Sequence, residues 1–293
     1  MSNKANVEKI GLVLSGGLAR GACQLAFANE VIKKVGRDRI KILSCSSIGS
    51  LNGYAIATDS VDTMLANYCN FDCESTSEFR FFIKNRLFRK VFASLGNKTI
   101  DIPFYVSATR LPLFQEYYFY LHRDSPIREV KSLVNIAMAF PLVNGPKRDQ
   151  AKRSYIDGGA GDNVPIYPLL DQDLDLILAL HLYPRFRPSE NAILSCQKDG
   201  KILLDVDTTL EEPEEHSSFS LSQTDLNEMV EDGAAYGKQF ADFVFQDMTK
   251  EGIEARSFEW TRSKIDLRRN KTRDGLLRLV EILNLFFSMR YPE

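Results

Sequence analysis

Apolar runs too short for helices alternate with helix-period stretches along the first third of the chain. Ile10 to Leu14 is a short apolar run closed by Ser15-Gly16-Gly17, and it reads as a buried strand. Beyond Gly21 the apolar positions Ala22, Leu25, Ala26, Val31 and Ile32 follow a helical period that ends near Gly36. Ile40 to Leu43 is a second buried run, again followed by small residues, and Leu51 to Ala57 opens another helix. Strand, tight turn, helix, repeated, predicts a parallel sheet with crossover helices.

Further along, Ile102–Ser107, Tyr117–Leu121, Tyr155-Ile156, Leu174–Leu182 and Lys201–Val206 read as strands. Ile127 to Ala139 reads as a helix stopped at Pro141. Between them, residues Phe79–Leu95 repeat Ile83, Leu87, Val91 and Leu95 every fourth position, with Phe88 and Phe92 beside them and Arg80, Lys84, Arg86, Arg89 and Lys90 mixed in. That is a basic amphipathic helix. Its apolar stripe either enters an anionic membrane surface, giving a peripheral contact, or packs on the core or lines a ligand pocket with its charges solvated. From Glu211 the composition shifts: Glu211–Glu215 is an acidic loop with Pro213, Ser222–Asp247 reads as a helix, and Leu276–Met289 as a last amphipathic helix. We expect a main domain over 1–210 and a helical extension over 211–293 packed on the same domain.

Composition narrows the function classes. Of the 293 residues, 44% are hydrophobic and 26% charged, enough for a sizeable core, and the net charge of -2 gives no global basic field for nucleic acid. Five cysteines at unpaired spacings fit a reducing compartment rather than a disulfide framework. No run reaches the roughly 20 apolar residues that span a bilayer. No apolar stretch follows the polar start that would mark a cleaved signal. The expectation is a cytoplasmic or peripheral membrane protein, or an effector exported without a cleaved signal.

Three segments carry chemistry, each after a predicted strand. Ser15-Gly16-Gly17-Leu18-Ala19-Arg20-Gly21 is a glycine turn at a helix start, where backbone N–H groups and the helix dipole favour an anion. It lacks the Lys-Ser/Thr ending of a nucleotide P-loop. Cys45-Ser46-Ser47-Ile48-Gly49 sets Ser47 between small residues at a strand-to-helix turn, as a nucleophile elbow requires. The plainer reading is that Ser46 or Ser47 caps the helix. Tyr155-Ile156-Asp157-Gly158-Gly159 places a carboxylate at a strand end, which alone reads as a turn.

In this order the three segments resemble the patatin-like phospholipase family, together with Asn135-Ile136-Ala137-Met138-Ala139-Phe140-Pro141 and Ser107-Ala108-Thr109. The likeness runs from about Val7 to Leu182. It implies a three-layer α/β/α fold with a mostly parallel central sheet. It implies a dyad of Ser47 as nucleophile and Asp157 as base, with an oxyanion hole from Gly16, Gly17 and Leu18. Arg20, Gly21, Gly49, Gly158 and Gly159 support the site. The implied activity is hydrolysis of fatty-acyl esters, phospholipids or lysophospholipids, with no metal and no cofactor.

Two positions depart from the family pattern. Leu18 stands where a third consecutive glycine is usual, and Cys45 stands for the first glycine of the elbow. Either side chain strains its turn if the backbone there needs positive φ. None of the three histidines, His122, His181 and His216, sits in a recognisable triad context. The resemblance makes Asp157 the base, and burial is what would lift its pKa from near 3.9 toward a useful value. Arg20 reads as a structural tie from loop to sheet, with attraction of a lipid phosphate as the sharper alternative. A patatin-like fold that binds a membrane or protein without hydrolysis is the rival from another class. A phosphate-binding nucleotide enzyme ranks below it.

Overall fold

The computed structural model describes residues 6–71, 87–141, 145–183, 188–208, 219 and 221–264. Among these, eight strands form one mixed, mostly parallel sheet flanked by helices. Strands β1 (Ile10–Leu14), β2 (Ile40–Cys45), β3 (Phe104–Arg110), β7 (Leu176–His181) and β8 (Ile202–Asp207) run parallel. Strands β4 (Gln115–Leu121), β5 (Lys147–Arg148) and β6 (Ser154–Asp157) add antiparallel pairings. The order across the sheet is β5-β6-β3-β2-β1-β7-β8, with β4 on the other side of β3.

Central strands lack a polar alternation because both their faces are covered. Ile10, Leu12, Leu14, Leu43, Leu176, Leu178 and Leu180 face the larger core. Val13, Ile42, Ile177 and Ala179 face a smaller one. On the large face lie α1 (Gly21–Val35), α2 (Ile48–Ala57), α3 (Val61–Cys69), α4 (Leu87–Leu95), α5 (Ile127–Ala137) and α8 (Gln223–Val244). The thin face is closed by α6 (Tyr167–Leu170) and α7 (Glu190–Lys198). Helix α2 is buried along nearly its whole length, and its Gly49, Ser50, Gly53, Ala55 and Ala57 let it sit that close to the sheet.

One slot of the sheet is shared by two strands. Strand β3 pairs with β2 through Leu43↔Phe104 to Cys45↔Val106, and there β2 ends. The C-terminal half of β3 then pairs with β6, antiparallel, through Ala108↔Asp157 to Arg110↔Tyr155. Asp157 therefore enters the sheet two residues beyond the last rung of β2, head-on to the turn that follows Cys45.

In α4, Val91, Phe92 and Leu95 are buried, with Phe92 against Tyr54 at 4.9 Å between ring centroids. Over this portion the apolar stripe of the basic segment packs on the core. Residues 79–86 and the side chains of 87–89 lie outside the described residues, as do Glu211–Glu215 and Leu276–Met289. Helix α8 crosses α1 at glycines: a Cβ on Gly233 would lie 2.3 Å from the Cys23 carbonyl oxygen, and one on Gly237 2.7 Å from Phe27 backbone. Among the described residues no helix is long and apolar enough to cross a membrane.

Candidate functional site

The turn after β2 is a strained elbow. Ser47 holds φ 50 and ψ -127, a region that costs a non-glycine residue about 1–3 kcal/mol. Its neighbours explain how the turn is held. A Cβ on Gly49 would sit 2.4 Å from the Leu14 carbonyl oxygen, so only glycine fits where α2 passes the end of β1. The Ser46 amide donates to that same Leu14 carbonyl at 2.9 Å. Ser47 occupies the N-cap position of α2 yet makes no side-chain cap bond. Its Oγ instead donates to Asp157 Oδ2 at 2.6 Å. The strain thus aims the hydroxyl away from the helix, while the α2 N-terminus brings positive potential to the same point.

Asp157 is fixed on all sides. Its second oxygen, Oδ1, accepts the Gly159 amide at 2.8 Å. Its own amide donates to the Ala139 carbonyl at 2.9 Å, and its carbonyl accepts Thr109 Oγ1 at 3.0 Å. The Asn135–Pro141 and Ser107–Thr109 segments thereby clamp the aspartate. Gly158 is required by close approach, since a Cβ there would meet the Ser107 carbonyl oxygen at 2.4 Å, while a Cβ on Gly159 would press on the side-chain oxygen Asn163 Oδ1 at 2.7 Å. Burial pushes the Asp157 carboxyl up to about 6, against the opposing pull of the hydrogen bonds from Ser47 and Gly159. A carboxylate with a pKa nearer neutrality is a better base and is still mostly ionised at pH 7.

The glycine loop lies across the elbow. A Cβ on Gly16 would come within 2.7 Å of Ser47 Cβ. The Gly16 amide donates to Asn163 Oδ1 at 3.1 Å, and Asn163 Nδ2 donates back to the Gly16 carbonyl at 3.3 Å. With Gly16 engaged in this way, the amides of Gly17 and Leu18, like that of Ala19, have no protein acceptor among the described residues. Leu18 takes the strained conformation expected of it, at φ 52, whereas Cys45 does not: it is the extended last residue of β2. The Cys45 thiol is fully buried against Gly53 of α2, where a Cβ would come within 2.3 Å of Sγ. Burial pushes that thiol's pKa up, so it stays protonated and inert.

Beneath the loop runs a buried polar chain. Tyr68 Oη donates to Asn52 Oδ1 at 2.9 Å, and Asn52 Nδ2 donates to the Gly21 carbonyl at 2.9 Å and to Gln24 Oε1 at 3.3 Å. Gln24 Nε2 reaches the carbonyls of Ser15 at 3.2 Å and Leu180 at 3.1 Å. These bonds hold the loop's two ends to the sheet. Arg20 ties loop to sheet as well, donating to the Leu182 carbonyl at 3.3 Å and lying over the Tyr183 ring.

The sequence model of the patatin-like phospholipase family matches residues 12–170, more than half of the chain. The chain belongs to the patatin-like phospholipase family. That membership supports lipid hydrolysis as its general activity. Among curated protein sequences none matches it. Solved structures similar to this patatin-like chain include VipD from Legionella pneumophila, at 13% identity over 82% of this chain and 67% of that one, TM-score 0.46. Human GIVD cytosolic phospholipase A2 is similar at 12% identity over 86% of this chain and 60% of that one, TM-score 0.47. The type III effector protein ExoU is similar at 12% identity over 92% of this chain and 64% of that one, TM-score 0.33. The chain thus spans about two thirds or less of the length of each.

Ser47, Asp157, Gly16, Gly17, Leu18, Gly49, Gly158 and Gly159 converge on one place at the carboxyl ends of the parallel strands. Gly21 stands one step back, its Cα packed where a Cβ would touch Ile48 at 2.7 Å. Asn163 had drawn no role from sequence, although it lies in the stretch just after Asp-Gly-Gly. Gln24, Asn52 and Tyr68 had none either, since polar residues within helices give no local sign that they are buried. His181 ends β7, with Nε2 3.1 Å from Asp205 Oδ1 and Nδ1 3.0 Å from the Tyr183 carbonyl, so both ring nitrogens are engaged away from Ser47. His216 lies outside the described residues. Among the described residues no cluster of three His, Cys, Asp or Glu side chains is arranged for a metal.

Proposed function

We propose that the chain is a serine-dependent lipid acyl hydrolase of phospholipase A or lysophospholipase type, with Ser47 as nucleophile and Asp157 as base. The observation that carries this reading is the 2.6 Å hydrogen bond from a Ser47 hydroxyl that caps no helix amide to a carboxylate raised by burial to about 6. Asp157 takes the hydroxyl proton as Oγ attacks the ester carbonyl carbon. The tetrahedral oxyanion is received by the Gly17 and Leu18 amides, with Asn163 holding Gly16 as the rigid edge of that hole. Collapse breaks the ester C–O bond, and the departing alkoxide takes the proton from Asp157. Water then attacks the acyl-serine, gives its proton to Asp157, and the fatty acid leaves with Ser47 restored. Residues 1–210 form the catalytic unit in this reading, with the extension over 211–293 resting on it through α8. No metal or cofactor takes part.

The test is fatty-acid release from mixed phospholipid micelles, alongside labelling by a fluorophosphonate probe read by intact mass. Ser47→Ala should lose activity by about 10⁴-fold and take no label. Asp157→Asn should lose a comparable factor with its fold intact. In the wild type kcat/KM should rise with pH through about 6, because the base works only ionised. Label retained by Ser47→Ala would name another nucleophile. A folded wild type that neither hydrolyses nor labels would favour the non-hydrolytic binding module.

A further inference from the structure

Two hairpin turns project past the catalytic rung of the sheet. The β3–β4 turn spans Leu111–Phe114, and the β5–β6 turn spans Asp149–Arg153. Because β6 runs antiparallel to β3, both turns lie at the carboxyl end of β3, beyond the rung where Asp157 meets Ala108. The Leu111 amide donates to the Ser154 carbonyl at 2.9 Å, which lashes the two turns together. Each tip carries a non-glycine residue at positive φ, Phe114 at 53 and Lys152 at 61, held by the flanking ladders.

Leu113 is 83% exposed and Phe114 65%, adjacent apolar side chains on a projecting turn. Beside them is an open concavity of about 620 Å³ lined by Arg110, Arg148, Lys152 and Arg153 with Pro112 and Pro146. Asp149 neutralises Arg153 at 2.6 Å. Arg110, Arg148 and Lys152 have no carboxylate partner among the described residues. Three uncompensated cations in one hollow stand out on a protein of net charge -2. A soluble anion would satisfy the hollow but leave Leu113 and Phe114 in water. A bilayer with anionic lipids satisfies both, since the apolar tip enters the acyl boundary while the cations meet phosphates at the headgroup level.

We propose that these two turns form a docking surface for anionic phospholipid bilayers. Leu113 and Phe114 insert, and Arg110, Arg148 and Lys152 hold a lipid phosphate. Docked in this way, the end of the sheet that carries Ser47 faces the lipid. The surface deepens the lipid-hydrolase reading by naming the form of substrate it meets, while the binding step itself needs no hydrolysis. The full chain carrying Ser47→Ala therefore serves as the binding protein, so that no lipid is consumed.

The measurement is flotation with large vesicles of phosphatidylcholine alone or with one third phosphatidylserine or phosphatidylinositol phosphate. Binding should require the anionic lipid and fall with salt. Arg148→Glu with Lys152→Glu should weaken it by about thirtyfold or more. Leu113→Ser with Phe114→Gly should also weaken it strongly at low salt. In the Ser47 background both pairs should leave hydrolysis of a soluble short-chain ester unchanged, which also reports that they fold. No binding by the parent chain, equal binding to neutral vesicles, or undiminished binding by the charge-reversed pair would overturn the proposal. Displacement by millimolar inorganic phosphate, with no effect of the Leu113 and Phe114 pair, would overturn it in favour of a soluble phosphate site.

Discussion

The turns after β1 and β2 begin alike: a buried strand, small residues, then a buried helix. Each also carries a residue with a side chain, Leu18 or Cys45, where the resemblance leads us to expect glycine. Their outcomes differ. Leu18 accepts a left-handed backbone at φ 52 and carries its cost in the turn. Cys45 stays extended in β2, and its bulk is absorbed by Gly53, a turn further along α2. Whether a lost glycine strains a turn thus depends on the backbone region at that position and on what lies opposite. The positive φ of the elbow belongs to Ser47 itself.

The comparison can be broken hardest at Gly49. Its Cβ would press on the Leu14 backbone, which cannot move without displacing β1, so Gly49→Ala should cost about 4 kcal/mol or more, read by urea denaturation. The counterpart in the first turn should be milder. A Cβ on Gly17 would meet Leu182 Cδ1 at 2.3 Å and Leu182 Cβ at 2.9 Å; the methyl can swing aside but the Cβ moves only with its backbone, so Gly17→Ala should cost about 2–3 kcal/mol.

Next in size is the cost of the buried base. Folding raises the Asp157 pKa from near 3.9 to about 6, so the folded state binds the proton more tightly than the unfolded chain. Stability from this group is therefore greatest at low pH and falls as pH rises through 3.9 to 6, by about 3 kcal/mol at pH 7. Asp157→Asn removes that loss. Its melting temperature should exceed wild type at pH 8, with the gap closing toward pH 4, while hydrolysis falls. A gap independent of pH would mean that the carboxyl is not raised.

Smaller still is the Cys45–Gly53 contact. Gly53→Ala should destabilise by about 1–3 kcal/mol, and adding Cys45→Ala should recover much of it, a coupling that a double-mutant cycle measures. The smallest effect separates the two turns by sign: Leu18→Gly should gain up to about 1 kcal/mol by relieving its φ, whereas Cys45→Gly should lose about 1–2 kcal/mol of strand and packing stability.

Much of this was legible along the chain. Strands β1 and β2 and helix α1 match their apolar runs nearly residue for residue, because a strand covered on both faces and a helix on one each leave a period that no distant contact is needed to read. Helices α3 and α7 left little trace: Val61–Cys69 and Glu190–Lys198 are short and bury few side chains. The β3–β6 pairing left none, since the direction in which one strand meets another is set by partners far away in sequence.

Residue type and order alone determined the family, the sheet with its crossover helices, and the serine and aspartate as a pair worth testing. Only the tertiary structure decided that β2 and β6 share one slot beside β3, which brings Ser47 and Asp157 to 2.6 Å across 110 residues of chain. It also decided that Asn163 occupies the Gly16 amide, that Cys45 rests on Gly53, and that burial raises the base. The physical reason is the same in each case. Periodicity and turn chemistry are local properties, whereas a hydrogen bond, a clash or a desolvated charge exists only once distant segments share the same space.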